Sequence, residues 1–417
     1  MKALFRFIQR FRTDILYRNS LYLMIGSGIL TGFGFFFWTI CAKLYSANDV
    51  GLATTVISAM NLIASLASLG LGIALVRYLP TSKDKSTQIN SCMTVTFLAS
   101  VIFASVFVAG LSFFSPKLIF IKENIFLAIV FISIVAFQSV ANLFERVFVA
   151  LRDAKHVITK NMIFSLLKLV FPFFLVAFGA FGIFGSWGLS LFFSIIFSIV
   201  LLMKRFSYRP AAEISYGILK KIFGFTSWNY IANLINMLPG LVLPLLITQY
   251  MTPADTAYYY VALMIASLLF VIPIAISSSL FAEGSFNISL LKKTTNKASR
   301  LTAILLIPSM IVLSLSGRFL LGFFGEDYAS EGTQLLFILN LSAIPQAFKG
   351  IYLSVLNVEH RMLELILVNI VISIGVIGFS LLMIKDGLLG LGIAWLLGQL
   401  LIFPLMGIFR ALHLNRH

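Results

Sequence analysis

Charge is what this sequence has least of. Only 11% of its 417 residues are Asp, Glu, Lys or Arg, and the acids number 15 against 31 Lys and Arg. A soluble domain carries about 25% charged residues, and no polar stretch here is long enough to fold as one. Cysteine is almost missing. Cys41 and Cys92 both lie in or beside apolar segments, which excludes a disulfide framework and leaves no metal-ligand spacing. The four His residues stand apart near segment ends, so neither a metal nor a cofactor is expected.

What is present is apolar. Hydrophobic residues make up 60% of the chain and the mean hydropathy is +1.01. These values describe an all-α integral membrane protein, with 42 Phe available for lipid-facing and interhelical packing. A crossing helix needs about 20 apolar residues. That length predicts twelve spans, near 20–42, 50–76, 88–114, 124–150, 157–180, 182–203, 225–250, 257–281, 301–324, 332–357, 363–384 and 388–411. The runs are continuous and do not alternate, which favours helices over a barrel. The first apolar run lacks a small-residue cleavage site and reads as a retained anchor.

The net charge of +16 is topological. Of the 31 Lys and Arg, 24 fall on one side of the predicted membrane, and five (Lys43, Lys117, Lys122, Arg318 and Lys385) on the other. The positive-inside rule then puts both termini in the cytoplasm, in a cell (inner) membrane. Nucleic-acid binding is excluded, because the cations form no patch with interleaved aromatics. The basic stretch 204–224 divides the chain into lobes at 1–205 and 206–417. Within it Ile214, Ile218, Ile222 and Phe223 recur at helical spacing beside Lys220 and Lys221. That pattern suits an amphipathic surface helix, or a linker that merely obeys topology.

Polar residues inside spans are costly and mark functional sites by default. Thr54, Ser58, Asn61, Ser65 and Ser68 share one face of the second span, and Gln138, Asn142 and Glu145 one face of the fourth. Asn161, Ser165 and Lys168 align in the fifth span, Asn229, Asn233 and Asn236 in the seventh, and Ser342, Gln346 and Lys349 in the tenth. Such stripes either line a cavity or hold helices together. Lys168 and Lys349 sit two to three turns inside their spans and are expected to face a water-filled cavity. Arg146 lies nearer the cytoplasmic end, and Arg77 nearer still, as an interface anchor or at the cavity mouth. Excess intramembrane cation suits an anionic cargo such as a diphosphate. Asn, Gln and Ser suit hydroxyl-rich cargo, since they both donate and accept.

The most specific stretch is the hairpin at 19–80. It carries Ala42-Lys43-Leu44-Tyr45-Ser46-Ala47-Asn48-Asp49-Val50-Gly51-Leu52-Ala53, then Ser68-Leu69-Gly70-Leu71-Gly72 and Leu75-Val76-Arg77-Tyr78-Leu79-Pro80. An echo returns 206 residues later at Thr252-Pro253-Ala254-Asp255, placing Asp49 on Asp255 and Gly51 on Ala257. This hairpin resembles the start of Wzx-type polysaccharide flippases of the multidrug/oligosaccharidyl-lipid/polysaccharide exporter superfamily. The resemblance implies two six-helix lobes in a V, alternately open to either side, and a transporter in place of an enzyme. The cargo it implies is a polyprenyl-diphosphate-linked oligosaccharide such as an O-antigen precursor, with membrane lipids and polysaccharide polymerase or export machinery as partners. Two departures stand out. Glu145 is the sole candidate for an acidic coupling site, and the two extra spans of the peptidoglycan-precursor flippases are missing. A cation-coupled small-molecule exporter of the same superfamily would need that acid. A glycan polymerase or ligase would need a larger outer loop bearing acids and bases.

Overall fold

The computed structural model describes residues 15–217 and 227–414. Among them there is helix and no strand. We label the main helices α1 (Ile15–Leu44), α2 (Ala47–Ala67), α3 (Leu71–Tyr78), α4 (Lys85–Ala109), α5 (Ile125–Ala150), α6 (Ala154–Phe174), α7 (Ala180–Phe206), α8 (Ser227–Tyr250), α9 (Pro253–Phe286), α10 (Leu291–Gly322), α11 (Glu326–Leu341), α12 (Ala343–Val358), α13 (Met362–Met383), α14 (Gly387–Leu400) and α15 (Ile402–Leu414). Among the described residues ten helical segments are long and apolar enough to cross a membrane. The longest, Met362–Phe409, runs to 48 residues and turns back at Ile384–Asp386. With α1 added, the architecture has about twelve crossing helices, each of roughly 20 residues or more.

The chain forms two compact units. One comprises Met1–Ser46 with Ala59–Tyr230, and the other Ala47–Ser58 with Ile231–His417. The start of α2 thus packs with the second unit, and two contacts explain why. A Cβ added to Gly51 would lie 1.6 Å from the carbonyl oxygen of Pro253, so only glycine allows this approach. Beside it the buried hydroxyls of Thr55, Thr248 and Thr256 are joined in series, Thr248 to Thr256 at 2.7 Å. The repeated hairpin tips therefore touch. Their acids also do the same job: Asp49 and Asp255 are each the third residue of a helix. There a carboxylate complements the helix dipole. Asp255 completes a capping box, accepting from the Thr252 backbone N–H at 2.9 Å while its own N–H donates to the Thr252 hydroxyl.

One predicted span is corrected. The stretch 50–76 reads as a single apolar run, yet the helix stops at Ala67 and restarts at Leu71. Leu69 and Gly70 take left-handed backbone angles, φ 46 and φ 75, which a helix cannot contain. At the break the Leu66 carbonyl accepts from the Leu69 N–H at 3.2 Å and the Ser65 carbonyl from the Ser68 hydroxyl at 2.9 Å, and the two share the single Tyr230 hydroxyl proton at 3.0 and 2.8 Å. The short α3 then packs Leu71, Leu75 and Leu79 into a core with Phe144, Val147 and Phe148 of α5. The break is what delivers Arg77 and Gly72 to the end of that helix.

The chain after α7 is fastened down as well. Tyr208 donates to Asn90 at 2.6 Å, and Asn90 donates to the Arg209 carbonyl at 2.9 Å. Burial pushes the Tyr208 hydroxyl up to about 12. Ile214 lies outside any helix, and Ile218, Lys220, Lys221, Ile222 and Phe223 of the proposed surface helix lie outside the described residues.

The Gly51 contact gives a direct check. Gly51→Ala is expected to cost about 1–3 kcal/mol through overpacking against a backbone that has little room to move, read as a lower melting temperature of the detergent-solubilised protein.

Candidate functional site

Both intramembrane lysines are held by helices, and each unit solves the problem of its charge differently. Lys168 lies 14 residues into α6, about 21 Å along its axis at 1.5 Å per residue. It is 2% exposed. Its ammonium rests over three aromatic faces, 4.5 Å from the Trp187 ring, 4.9 Å from Phe37 and 5.0 Å from Phe164. The rings come from α7, α1 and α6 and hold one another edge to face, Phe37 and Phe164 each against Trp187. A ring quadrupole attracts a cation, more strongly where water is excluded. The cage thus stabilises the ammonium without cancelling its charge.

Trp187 also turns its other edge to a polar chain. Its indole N–H donates to the Gln138 amide oxygen at 3.1 Å, and Gln138 donates to the Asn142 oxygen at 2.9 Å. One turn further along α5, Glu145 pairs with Lys160 at 2.8 Å. Lys160 also donates to the Ala141 carbonyl at 3.0 Å. Lys160 is one of the 24 cations that the sequence count places on the cytoplasmic side. In the fold its side chain is 5% exposed, against 34% for Glu145, so a lysine that reads as topological is a structural ion pair. Arg146 and Arg77 are exposed. A Cβ on Gly72 would meet the Arg146 side chain at 2.9 Å, and the Arg77 guanidinium lies 5.6 Å from the Tyr78 ring. The first unit thus carries a ladder of polar groups on α5 and α6, from Arg146 at the helix end to Lys168 deep in the span.

In the second unit Lys349 of α12 donates to the Asn236 side-chain oxygen of α8 at 2.8 Å. Ser373 of α13 donates to the Ile235 carbonyl beside it. Asn233 is exposed one turn before Asn236, and Gln346 is partly buried one turn before Lys349. Among the described residues no carboxylate lies within ion-pair distance of Lys168 or Lys349.

Two hydroxyls of the second-span stripe are satisfied by nearby carbonyls of their own stretch of chain. The Thr54 hydroxyl donates back to Val50 and that of Ser68 to Ser65. Asn161 and Ser165 are buried, and Asn61 is half-buried. The side chain of Asn229 lies outside the described residues. Sequence reasoning missed the Trp187 cage and the Lys160 pair. The one available signal was Glu145 itself, an intramembrane acid that needed a partner. No group of three or more His, Cys, Asp or Glu positioned to hold a metal occurs among the described residues.

Helices of crossing length throughout, with polar groups carried inside them, define a multi-pass membrane protein. Residues 40–333 match the sequence model of the family described as polysaccharide biosynthesis protein, and the chain belongs to that family. Its fold is shared with transporters of the multidrug/oligosaccharidyl-lipid/polysaccharide superfamily. The lipid II flippase MurJ, in an inward closed conformation, superposes with a TM-score of 0.75 at 14% identity, covering 94% of this chain and 87% of that one. A multidrug resistance MATE transporter in its inward-facing conformation gives 0.70 at 16% identity, over 95% and 99% of the two chains. An outward-facing MATE structure gives 0.60 at 17% identity, over 97% of both. No curated protein matches the chain in sequence.

The Glu145–Lys160 pair supplies a stability test. Glu145→Gln leaves the Lys160 charge buried beside a single carbonyl and is expected to cost about 2 kcal/mol. Glu145→Leu with Lys160→Met removes both charges and should recover most of that loss, measured by thermal unfolding in detergent.

Proposed function

We propose that the protein is a flippase that moves a polyprenyl-diphosphate-linked oligosaccharide from the cytoplasmic to the outer leaflet during surface polysaccharide synthesis. The observation that carries this reading is the pair of intramembrane lysines, one per unit, each held by groups that leave its charge uncompensated. Fixed positive charge inside the spans favours a cargo with phosphate oxygens and disfavours an organic cation. Membership of a polysaccharide biosynthesis family supplies the glycan, and the shared fold supplies the precedent for transport. In the second unit Lys349, Asn233, Asn236 and Gln346 are the candidate cargo contacts; in the first, Gln138 and Asn142 are, with Lys168 acting on the diphosphate through its charge from within its ring cage. Arg77 and Arg146 would stand at the cytoplasmic mouth. The cation-coupled alternative loses ground because Glu145, its one candidate acid, is already bound to Lys160.

The test uses intact cells and proteoliposomes. Lys168→Ala and Lys349→Ala are each expected to lower surface polysaccharide at least tenfold while the protein reaches the membrane at wild-type levels, and to slow translocation of the diphosphate-linked glycan in liposomes. Normal export by the double variant would defeat the assignment. Loss of cationic dye efflux in Glu145→Gln would replace it with the exporter.

A further inference from the structure

Two helices of the second unit are longer than a bilayer requires. α9 has 34 residues and α10 has 32, about 51 and 48 Å at 1.5 Å per residue, whereas the hydrocarbon layer is about 30 Å thick. Charged groups mark one end of the pair, with Asp255 at the start of α9 and the Arg318–Glu326 ion pair beside the end of α10. Counting about 20 residues inward from that end, the helices leave the hydrocarbon near residues 273 and 302. The surplus turns project on the other side, which carries Lys292, Lys293, Lys297 and Arg300.

At this level the two helices enclose a groove with a cavity volume of about 250 Å³. Its floor is apolar, formed by Ile276, Leu280, Ala298 and Leu301. Polar residues occupy successive turns above it. Because the helices are antiparallel, Ser279 and Lys297 share the lower level, and Glu283 and Thr294 share the next one outward, about 6 Å further from the membrane. Glu283 and Lys297 are both exposed. Among the described residues neither belongs to an ion pair, with the other or with any third group. The Thr294 hydroxyl gives its proton to the Leu290 carbonyl at 3.0 Å, so its oxygen is left to accept.

The groove thus presents, from the hydrocarbon outward, an apolar slot, a cation with a hydroxyl donor, and an anion with a hydroxyl acceptor. We infer that it binds the headgroup of a zwitterionic phospholipid bearing a primary ammonium, of the phosphatidylethanolamine type. Such a lipid has the same order of groups: acyl chain, phosphate, then ammonium. The acyl chain lies on Ile276 and Leu301, the phosphate meets Lys297 and Ser279, and the ammonium meets Glu283 and Thr294. A choline headgroup has no N–H to donate, and a glycerol headgroup has no cation for Glu283. This lipid is a resident of the groove between α9 and α10 and is not the transported cargo.

The experiment is native mass spectrometry of the full-length protein in detergent, with equimolar phosphatidylethanolamine, phosphatidylcholine and phosphatidylglycerol of matched acyl chains. The ethanolamine adduct is expected to exceed each of the others about two- to fivefold, the range set by partly exposed ion pairs. Glu283→Gln should abolish that preference, and Lys297→Gln should lower all three adducts together. Ser279→Trp, which fills the groove, should remove the preference without changing the melting temperature of the lipid-free protein. Inorganic phosphate at the same concentration should displace nothing. Equal binding of the glycerol lipid by the wild type, an ethanolamine preference that survives Glu283→Gln, or displacement by inorganic phosphate would each overturn the assignment.

Discussion

Hydrocarbon offers a backbone amide nothing to bond to, and everything else in this protein follows from that. Each crossing segment has to satisfy its own N–H and C=O groups, so the chain is helix wherever it is apolar. Interruptions survive only where another group takes over. At the break between α2 and α3 the Ser65 and Leu66 carbonyls accept from the Ser68 hydroxyl and the Leu69 N–H and share the Tyr230 hydroxyl. At the start of α9 the Thr252 and Asp255 side chains cover the orphan N–H groups of the first turn.

The same scarcity of partners governs the charges. Among the described residues three lysines are withdrawn from the surface, and each is accommodated by different chemistry. Lys160 is neutralised by a carboxylate, Lys349 is bonded to a neutral amide oxygen, and Lys168 is enclosed by ring faces. Only the first arrangement cancels charge. An ion pair glues helices and presents little field to a passing ligand. An ammonium held by dipoles and quadrupoles keeps its field, and a low-dielectric surrounding lets that field reach further than it would in water. The distinction separates a structural lysine from a candidate binding lysine, although all three have the same side chain.

Much of this was legible in the sequence, and the limits have physical causes. Span number follows from run length, because one crossing requires a fixed rise. The hairpin tips were visible because Asp49 and Asp255 occupy the same position in two helices. The break at Leu69 and Gly70 was not visible, since Leu71 to Leu79 continue the apolar run and hydropathy carries no record of backbone angle. Lys160 was misread because it lies one turn from a loop rich in cations, and distance along the chain says nothing about a carboxylate on the neighbouring helix. The Lys168 cage draws its rings from three helices, an arrangement that only tertiary packing creates. Lys168 and Lys349 stood out at the sequence level for a simpler reason: few charges lie that far inside apolar runs.

The buried threonines carry a consequence of their own. Thr55 gives its proton to the Gly51 carbonyl at 2.9 Å, so towards Thr248 it can act only as an acceptor. Thr248 must then donate to Thr55 and accept from Thr256, and the whole row acquires a single direction, from Thr256 to the Gly51 carbonyl. The row is therefore a one-way relay of dipoles whose polarity is imposed by the backbone oxygens that Thr55 donates to, those of Gly51 and Pro244. Its members are not equivalent. A methyl in place of the hydroxyl at Thr256 shortens the relay by its first link, whereas the same change at Thr248 removes two links and leaves Thr55 with only the bonds it donates to backbone carbonyls. Serine at any of the three preserves the direction. The tolerance of this core to substitution is thus graded along the row, even though every position in it is a fully buried threonine.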